Sequence, residues 1–215
     1  MNQYLIFSIG FLAQILFSAR QLTQWIASEK AGRILSPVLF WQLSILASFL
    51  LMVYGILRND PVIVLGQIIT YGIYIRNLCF HGFWAKIPPI VRLLIFVFPG
   101  FAISWLFTGE TYNINKLFTN REISSTLMTW GIIGQCVFTF RFIYQLLYSE
   151  KRKQSLLPIG FWIISIIGSA MLLSYAILRK DPVLFIGQLF GIFVYSRNIL
   201  LGLRHSRLHH CQSEG

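Results

Sequence analysis

The sequence predicts an all-α membrane protein, with seven transmembrane helices arranged as two parallel three-helix repeats joined by a linker helix. Three observations lead there. Of the 215 residues, 56% are hydrophobic and only 12% charged, whereas a soluble domain carries about 25% charged residues. Seven apolar segments each reach the roughly 20 residues that a bilayer-spanning helix needs. The first three of these segments recur as the last three. An aromatic content of 16% excludes a disordered chain. The net charge of +11 comes from 18 Lys and Arg against 7 Asp and Glu. In a soluble protein that surplus would point to nucleic acid. In a membrane chain it points to cytoplasmic loops and anionic headgroups, so no nucleic-acid partner is expected.

The elements follow in order. Helix one is expected over Tyr4–Trp25. No Lys or Arg precedes Arg20, so the segment lacks the basic start of a signal peptide. Helix two is expected over Pro37–Leu57 and helix three over Pro61–Phe83, each opening on a proline that the first helical turn tolerates. Helix four, Ile90–Phe107, carries Pro99-Gly100 at its middle, where a kink is expected. A polar loop follows. Helix five spans Ser124–Tyr148, helix six Pro158–Leu178 and helix seven Pro182–Leu203. The organisation is then a first repeat at 1–83, a linker helix and outer loop at 84–123, a second repeat at 124–203 and a basic tail at 204–215.

The repeat is visible at a constant offset. Gly10–Phe80 aligns with Gly131–Leu201 without a gap, and about 28 of about 71 positions are identical. Many of the identities are polar. Gln14 falls on Gln135, Arg20 on Arg141, Gln24 on Gln145, and Ser28-Glu29-Lys30 on Ser149-Glu150-Lys151. Tyr54 falls on Tyr175, and Arg58 and Asp60-Pro61 fall on Arg179 and Asp181-Pro182. Gly66-Gln67 falls on Gly187-Gln188, Tyr74 on Tyr195, and Arg76-Asn77 on Arg197-Asn198. Shared hydrophobicity cannot align polar residues one by one. Two units of three helices joined directly would be inverted in the membrane, and the linker helix restores a common orientation.

Lys and Arg set the orientation. Lys30, Arg33, Lys86, Arg92, Lys151, Arg152, Lys153, Arg204 and Arg207 fall on one side. Arg58, Lys116, Arg121, Arg179 and Lys180 fall on the other. The richer side is read as cytoplasmic, which puts the N-terminus outside and the C-terminus in the cytoplasm.

Three groups of residues carry the candidate chemistry. Arg58 with Asp60, and Arg179 with Asp181, are expected at an outer rim or gate. Asp before Pro is also a plain helix cap. Gln67 with Tyr74, and Gln188 with Tyr195, share a helix face with Gly66 and Gly187 beside them. They either bond helix to helix or line a polar cavity. Gln14 and Gln135 extend that polar set from helices one and five. Arg20, Arg76, Arg141 and Arg197 lie near the cytoplasmic helix ends, where snorkelling is one reading. Binding an anionic group is the other, since the predicted helix interiors hold no Asp or Glu to pair with them and the guanidinium fork suits phosphate. Asn77 and Asn198 complete the substrate-binding set. No phosphate-binding glycine loop, GxSxG or HExxH is present. No catalytic residue, metal site or cofactor is expected; Cys79, Cys136 and Cys211 are scattered.

The doubled pattern ILRxDPV, then GQ, then YxRN, at Ile56–Asn77 and Ile177–Asn198, resembles the lipid A biosynthesis N-terminal domain family. That family is similar in helix order to the PQ-loop and SWEET transporters, although no Pro-Gln pair is present here. The resemblance implies a Gram-negative inner-membrane protein of envelope glycolipid metabolism. Its implied ligands are membrane lipids and an anionic glycolipid or polyprenyl-phosphate-linked sugar, bound and translocated. It also leaves open a docking role beside a glycosyltransferase, and self-association into a homo-oligomer. The family name implies lipid-A-disaccharide synthase activity, for which the chain offers no catalytic constellation.

Overall fold

A computed structural model describes residues 3–108 and 124–213, with side chains described for all of these but Pro61, Ala102, Ile103, 105–108 and 205–213. Lys116 and Arg121 of the expected outer loop lie outside the described residues, as do the side chains of Arg207, His209, His210 and Cys211. Every described element is helical. We number them α1 (Gln3–Ala31), α2 (Val38–Leu57), α3 (Pro61–Phe80), α4 (Pro89–Thr108), α5 (Ser125–Arg152), α6 (Ile159–Arg179) and α7 (Pro182–Ser213), with a single 3-10 turn at Trp84–Lys86. Among the described residues, six of them, α1 to α3 and α5 to α7, are long and apolar enough to cross a bilayer. In α4 the described apolar stretch is Pro89–Phe101, and Pro99 sits inside the continuous helix. The protein is an all-α membrane protein.

Local chemistry accounts for the helix ends. Asp60 caps α3 by accepting the Val62 and Ile63 amides at 3.0 and 3.4 Å, and Asp181 caps α7 through Val183 and Leu184, both at 3.0 Å. Pro61 and Pro182 occupy first-turn positions, where no amide is needed. Gly82, at φ +64°, ends the stretch after α3 in the left-handed region. Two helices outrun the sequence expectation. α1 continues past Trp25 to Ala31, and α5 past Tyr148 to Arg152. Their polar last turns present Glu29 and Glu150 to the rest of the bundle.

Within each half, α1 packs on α2 and α2 on α3, as α5 packs on α6 and α6 on α7. The halves meet through α1 with α7 and α3 with α5. Paired residues give the helix directions. Along α1, Gln14, Gln21 and Gln24 meet Gly187, Tyr195 and Asn198 of α7 in ascending order. Along α3, Gly66 and Asn77 meet Gln135 and Gln145 of α5 in the same sense. Gly10 and Arg20 of α1 meet Tyr54 and Ser44 of α2 in descending order. So α1 runs against α2, and Ser48 against Gln67 and Gly55 against Ile63 show α2 running against α3. α3 runs with α5, and the two halves point the same way.

The two larger clusters of buried apolar residues lie one near each end of this interface, with a smaller one around Val64. Tyr54, Tyr175, Val62 and Val183 belong to the first; Trp41, Trp162, Tyr74, Phe142 and Tyr195 belong to the second. α4 stands apart. Its Ile90, Leu93, Leu94 and Phe96 are all more than 60% exposed, and Phe98 stacks on Phe49 with ring centroids 4.1 Å apart.

Candidate binding site between the repeats

The four inner helices α1, α3, α5 and α7 enclose a cavity of about 60 Å³ at the junction of the halves. Its polar wall contains Gln14, Arg20, Gln67 and Tyr74 from the first half, and Gln135, Arg141, Gln188 and Tyr195 from the second. These eight are all sequence-predicted site residues, and the fold brings them together. No carboxylate lies on the wall among the described residues.

Duplication explains the geometry, since each contact has its counterpart. Ser48 donates to Gln67 Oε1 at 2.8 Å, and Ser169 donates to Gln188 Oε1 at 2.8 Å. The Gln14 amide lies against Gly187, and the Gln135 amide against Gly66. A Cβ at either glycine would occupy the space of the amide, so glycine is needed here for close approach. Both amides and both glycines line the cavity.

The two arginines are the unusual members. Arg20 is 4% exposed and Arg141 is 1% exposed. Arg20 donates to Ser44 Oγ at 2.8 Å and to Tyr74 Oη at 3.5 Å. Its guanidinium carbon lies 4.5 Å from the Phe17 ring centroid and 4.9 Å from that of Phe40. Arg141 lies 3.4 Å from the Phe138 centroid and 5.4 Å from that of Phe161. Both guanidinium groups share one ring, Phe142, at 5.7 and 4.6 Å, so their carbons are no farther apart than about 10 Å. Aromatic faces offset some of the desolvation of the charge. They do not satisfy the N–H groups. Arg20 Nε, Arg141 Nε and Arg141 Nη1 make no hydrogen bond among the described residues.

Other sequence-predicted residues are placed elsewhere. Asn77 and Asn198 form amide pairs that tie the halves together at the end toward Ser36 and Ser155. Gln145 Nε2 donates to Asn77 Oδ1 at 2.9 Å, and Gln24 Nε2 donates to Asn198 Oδ1 at 2.9 Å. The same glutamines bond Ser149 and Ser28 on their own helices. Arg76 and Arg197 are 49% and 41% exposed and pair with Glu150 and Glu29, each at 2.6 Å. The expectation that these arginines lack protein partners rested on shorter helices one and five. The extra turns of α1 and α5 supply the missing carboxylates.

At the opposite end, Asp60 and Asp181 are buried and cross the interface. Tyr175 Oη donates to Asp60 Oδ2 at 2.8 Å, and Tyr54 Oη donates to Asp181 Oδ2 at 2.9 Å. Arg58 lies 3.8 Å from Asp181. Burial pushes the Asp60 carboxyl above its ordinary range, partly offset by the Tyr175 hydroxyl and the nearby Arg179. The expected rim residues thus form a reciprocal inter-repeat lock. Gly10 and Gly131 admit the Tyr54 and Tyr175 rings, at 2.8 and 2.6 Å from where a Cβ would stand. Gln21 is a wall residue that duplication could not reveal. It donates to Tyr195 Oη at 3.0 Å, and its counterpart in the second half is Phe142.

Comparison with known proteins agrees with this doubled geometry. The family model described as Lipid A Biosynthesis N-terminal domain matches twice, at residues 9–79 and 130–200. The chain belongs to this family. Its two matches lie at the spacing of the internal repeat. Similar curated proteins are all named lipid-A-disaccharide synthase. That of Chlamydia pneumoniae is 27% identical over 213 residues, covering 95% of this chain and 34% of the relative. That of Chlamydia felis is 26% identical over 214 residues, covering 95% and 34%. That of Chlamydia muridarum is 26% identical over 210 residues, covering 94% and 35%. The chain spans about a third of the length of the curated relatives it matches. No solved structure matches it. The family description and the names of these relatives both concern lipid A.

Proposed function

We propose that this chain binds an anionic glycolipid or polyprenyl-phosphate-linked sugar between its two repeats and moves it across the bacterial inner membrane. The carrying observation is the cavity wall: two buried arginines, one from each repeat, with no carboxylate beside them. A buried charge is expensive and is ordinarily paired. Here the opposite charge is supplied by the ligand. The excess of Lys and Arg at the α1 and α5 C-terminal ends supports a cytoplasmic position for that side, with the N-terminus outside. Two parallel repeats around a central site are also the arrangement in which rocking of one half against the other exposes a site to either face.

Reconstitution tests the reading. The purified chain is placed in liposomes containing a fluorescent anionic glycolipid, and its transbilayer movement is followed by quenching from outside. Faster movement than in protein-free liposomes is the expected result. Unchanged movement together with no retained glycolipid on the purified protein removes the proposal.

A second reading has its own support. The chain corresponds to about a third of relatives named for glycosyl transfer, and Lys151, Arg152 and Lys153 are exposed at the end of α5. In that reading the basic turn docks a separate glycosyltransferase at the membrane. Movement of lipid by the chain alone excludes a purely docking role. Conversion of lipid A precursors by the chain alone would instead assign it the relatives' named activity.

A further inference from the structure

Size and charge together narrow what the cavity accepts. A volume of about 60 Å³ holds roughly four to six waters, at about 10–15 Å³ each by this measure. A small tetrahedral anion fits such a space. The cavity also has vertical limits. On α1 it runs from Gln14 to Gln21, between Gly10 at the Tyr–Asp lock and Gln24 at the amide pairs.

The charge count selects among end groups. Arg20 and Arg141 bring two positive charges, and the wall brings no negative one. A phosphodiester carries one charge and buries two ester substituents. A phosphomonoester approaches two charges and keeps three terminal oxygens as acceptors. On the wall, the buried N–H groups with no hydrogen bond among the described residues are Arg20 Nε and Arg141 Nε and Nη1, one set from each half. Neutral donors stand beside them: the Gln14 and Gln135 amides and the Tyr74 and Tyr195 hydroxyls. Arginine is suited to this task, since its N–H groups bind phosphate oxygens in a planar fork.

Resting on the anionic-glycolipid branch of the proposed function, and setting aside the polyprenyl-phosphate-linked sugar because its phosphate is esterified twice, we infer that the cavity is a phosphomonoester site, holding one terminal phosphate between Arg20 of the first repeat and Arg141 of the second while the rest of the lipid stays outside. The site takes the end of a singly esterified lipid phosphate, or inorganic phosphate itself, and rejects the diester phosphates of ordinary membrane lipids. Because each repeat contributes one arginine, the bound phosphate joins the two halves.

The test is native mass spectrometry of the full chain in detergent. Phosphatidic acid, a phosphomonoester lipid, is offered against phosphatidylglycerol, a phosphodiester with the same acyl chains. Inorganic phosphate and dimethyl phosphate serve as competitors. The expected result is at least about tenfold greater retention of phosphatidic acid, loss of that preference in both Arg20→Gln and Arg141→Gln, and competition by inorganic phosphate alone. Should either variant fail to fold, the wild type decides by pH. Among the described residues the wall holds no carboxylate or imidazole, so a fall in phosphatidic acid binding from about pH 7.5 to about pH 5.5 follows the second ionisation of the phosphate near pH 6. Phosphatidylglycerol binding stays level over that range. Equal retention of the two lipids at pH 7.5, or an unchanged preference in folded arginine variants, overturns the inference and leaves a general glycolipid reading in place. Binding of inorganic phosphate without any lipid supports the phosphate chemistry and removes the glycolipid reading. No binding by any of these probes removes both.

Discussion

Replacing Arg141 by methionine separates a functional arginine from a structural one. Arg141 is 1% exposed, and two of its nitrogens have no hydrogen-bond partner among the described residues. Each unsatisfied buried N–H costs about 1–3 kcal/mol. Stacking on Phe138 at 3.4 Å returns about 2 kcal/mol. Methionine matches much of the volume, keeps contact with the same rings through its sulfur and carries no charge. The balance favours the variant by about 0–4 kcal/mol, overlapping the about 1–4 kcal/mol found when buried ion groups give way to apolar ones. For a chain of this length, each kcal/mol raises the unfolding midpoint by about 2–4 °C. Thermal unfolding in phosphate-free detergent buffer reads this directly, and the same variant loses retention of a phosphate-bearing lipid. A midpoint below that of the wild type would refute the reasoning. It would mean that Arg141 holds the bundle together and that its nitrogens are satisfied in a way the geometry does not display.

Other consequences are open to the same kind of measurement. Tyr54→Phe and Tyr175→Phe each remove one hydrogen bond to a buried carboxylate, which costs about 1.5–3 kcal/mol; denaturation of both single variants and the double should show two losses of similar size. Gly66→Ala and Gly187→Ala force a glutamine amide aside and cost about 1–3 kcal/mol, whereas Gly72→Ala, with nothing within 4 Å, is neutral or stabilising. Arg76→Gln and Arg197→Gln break exposed ion pairs and change stability by less than about 1 kcal/mol. Lipid retention by these last two variants should equal that of the wild type, and a loss comparable with Arg141→Gln would return them to the binding site.

Much of the architecture is legible in the residue order, for identifiable reasons. Charge is scarce and apolar runs are long, so a membrane bundle is the available fold. Polar identities at constant offset reveal the duplication, and Asp-Pro marks where α3 and α7 begin. The eight cavity residues are also legible, because Gln14, Arg20, Gln67 and Tyr74 recur as a set and neighbouring glycines recur with them. Long-range pairing is not. Tyr54 and Asp181 are 127 positions apart, and nothing local to either states that they meet. Helix length caused the clearest difference. Ser28-Glu29-Lys30 reads as the end of a membrane helix, yet α1 continues through it, because its Ser28 hydroxyl accepts from the Leu35 amide and anchors the return of the chain. That extra turn brings Glu29 to Arg197, and its counterpart in α5 brings Glu150 to Arg76. Asn77 and Asn198 were drawn from the same motif as the cavity residues, but one further turn of helix carries them beyond the cavity into the amide pairs.

An experimental structure of the protein bound to a phosphomonoester lipid tests the central claim most directly. The account requires density for one phosphate between the Arg20 and Arg141 guanidinium groups, with the lipid's remainder leaving the junction of the repeats. Density for that lipid only on the outer helix faces, with both arginines turned from the cavity, would contradict it.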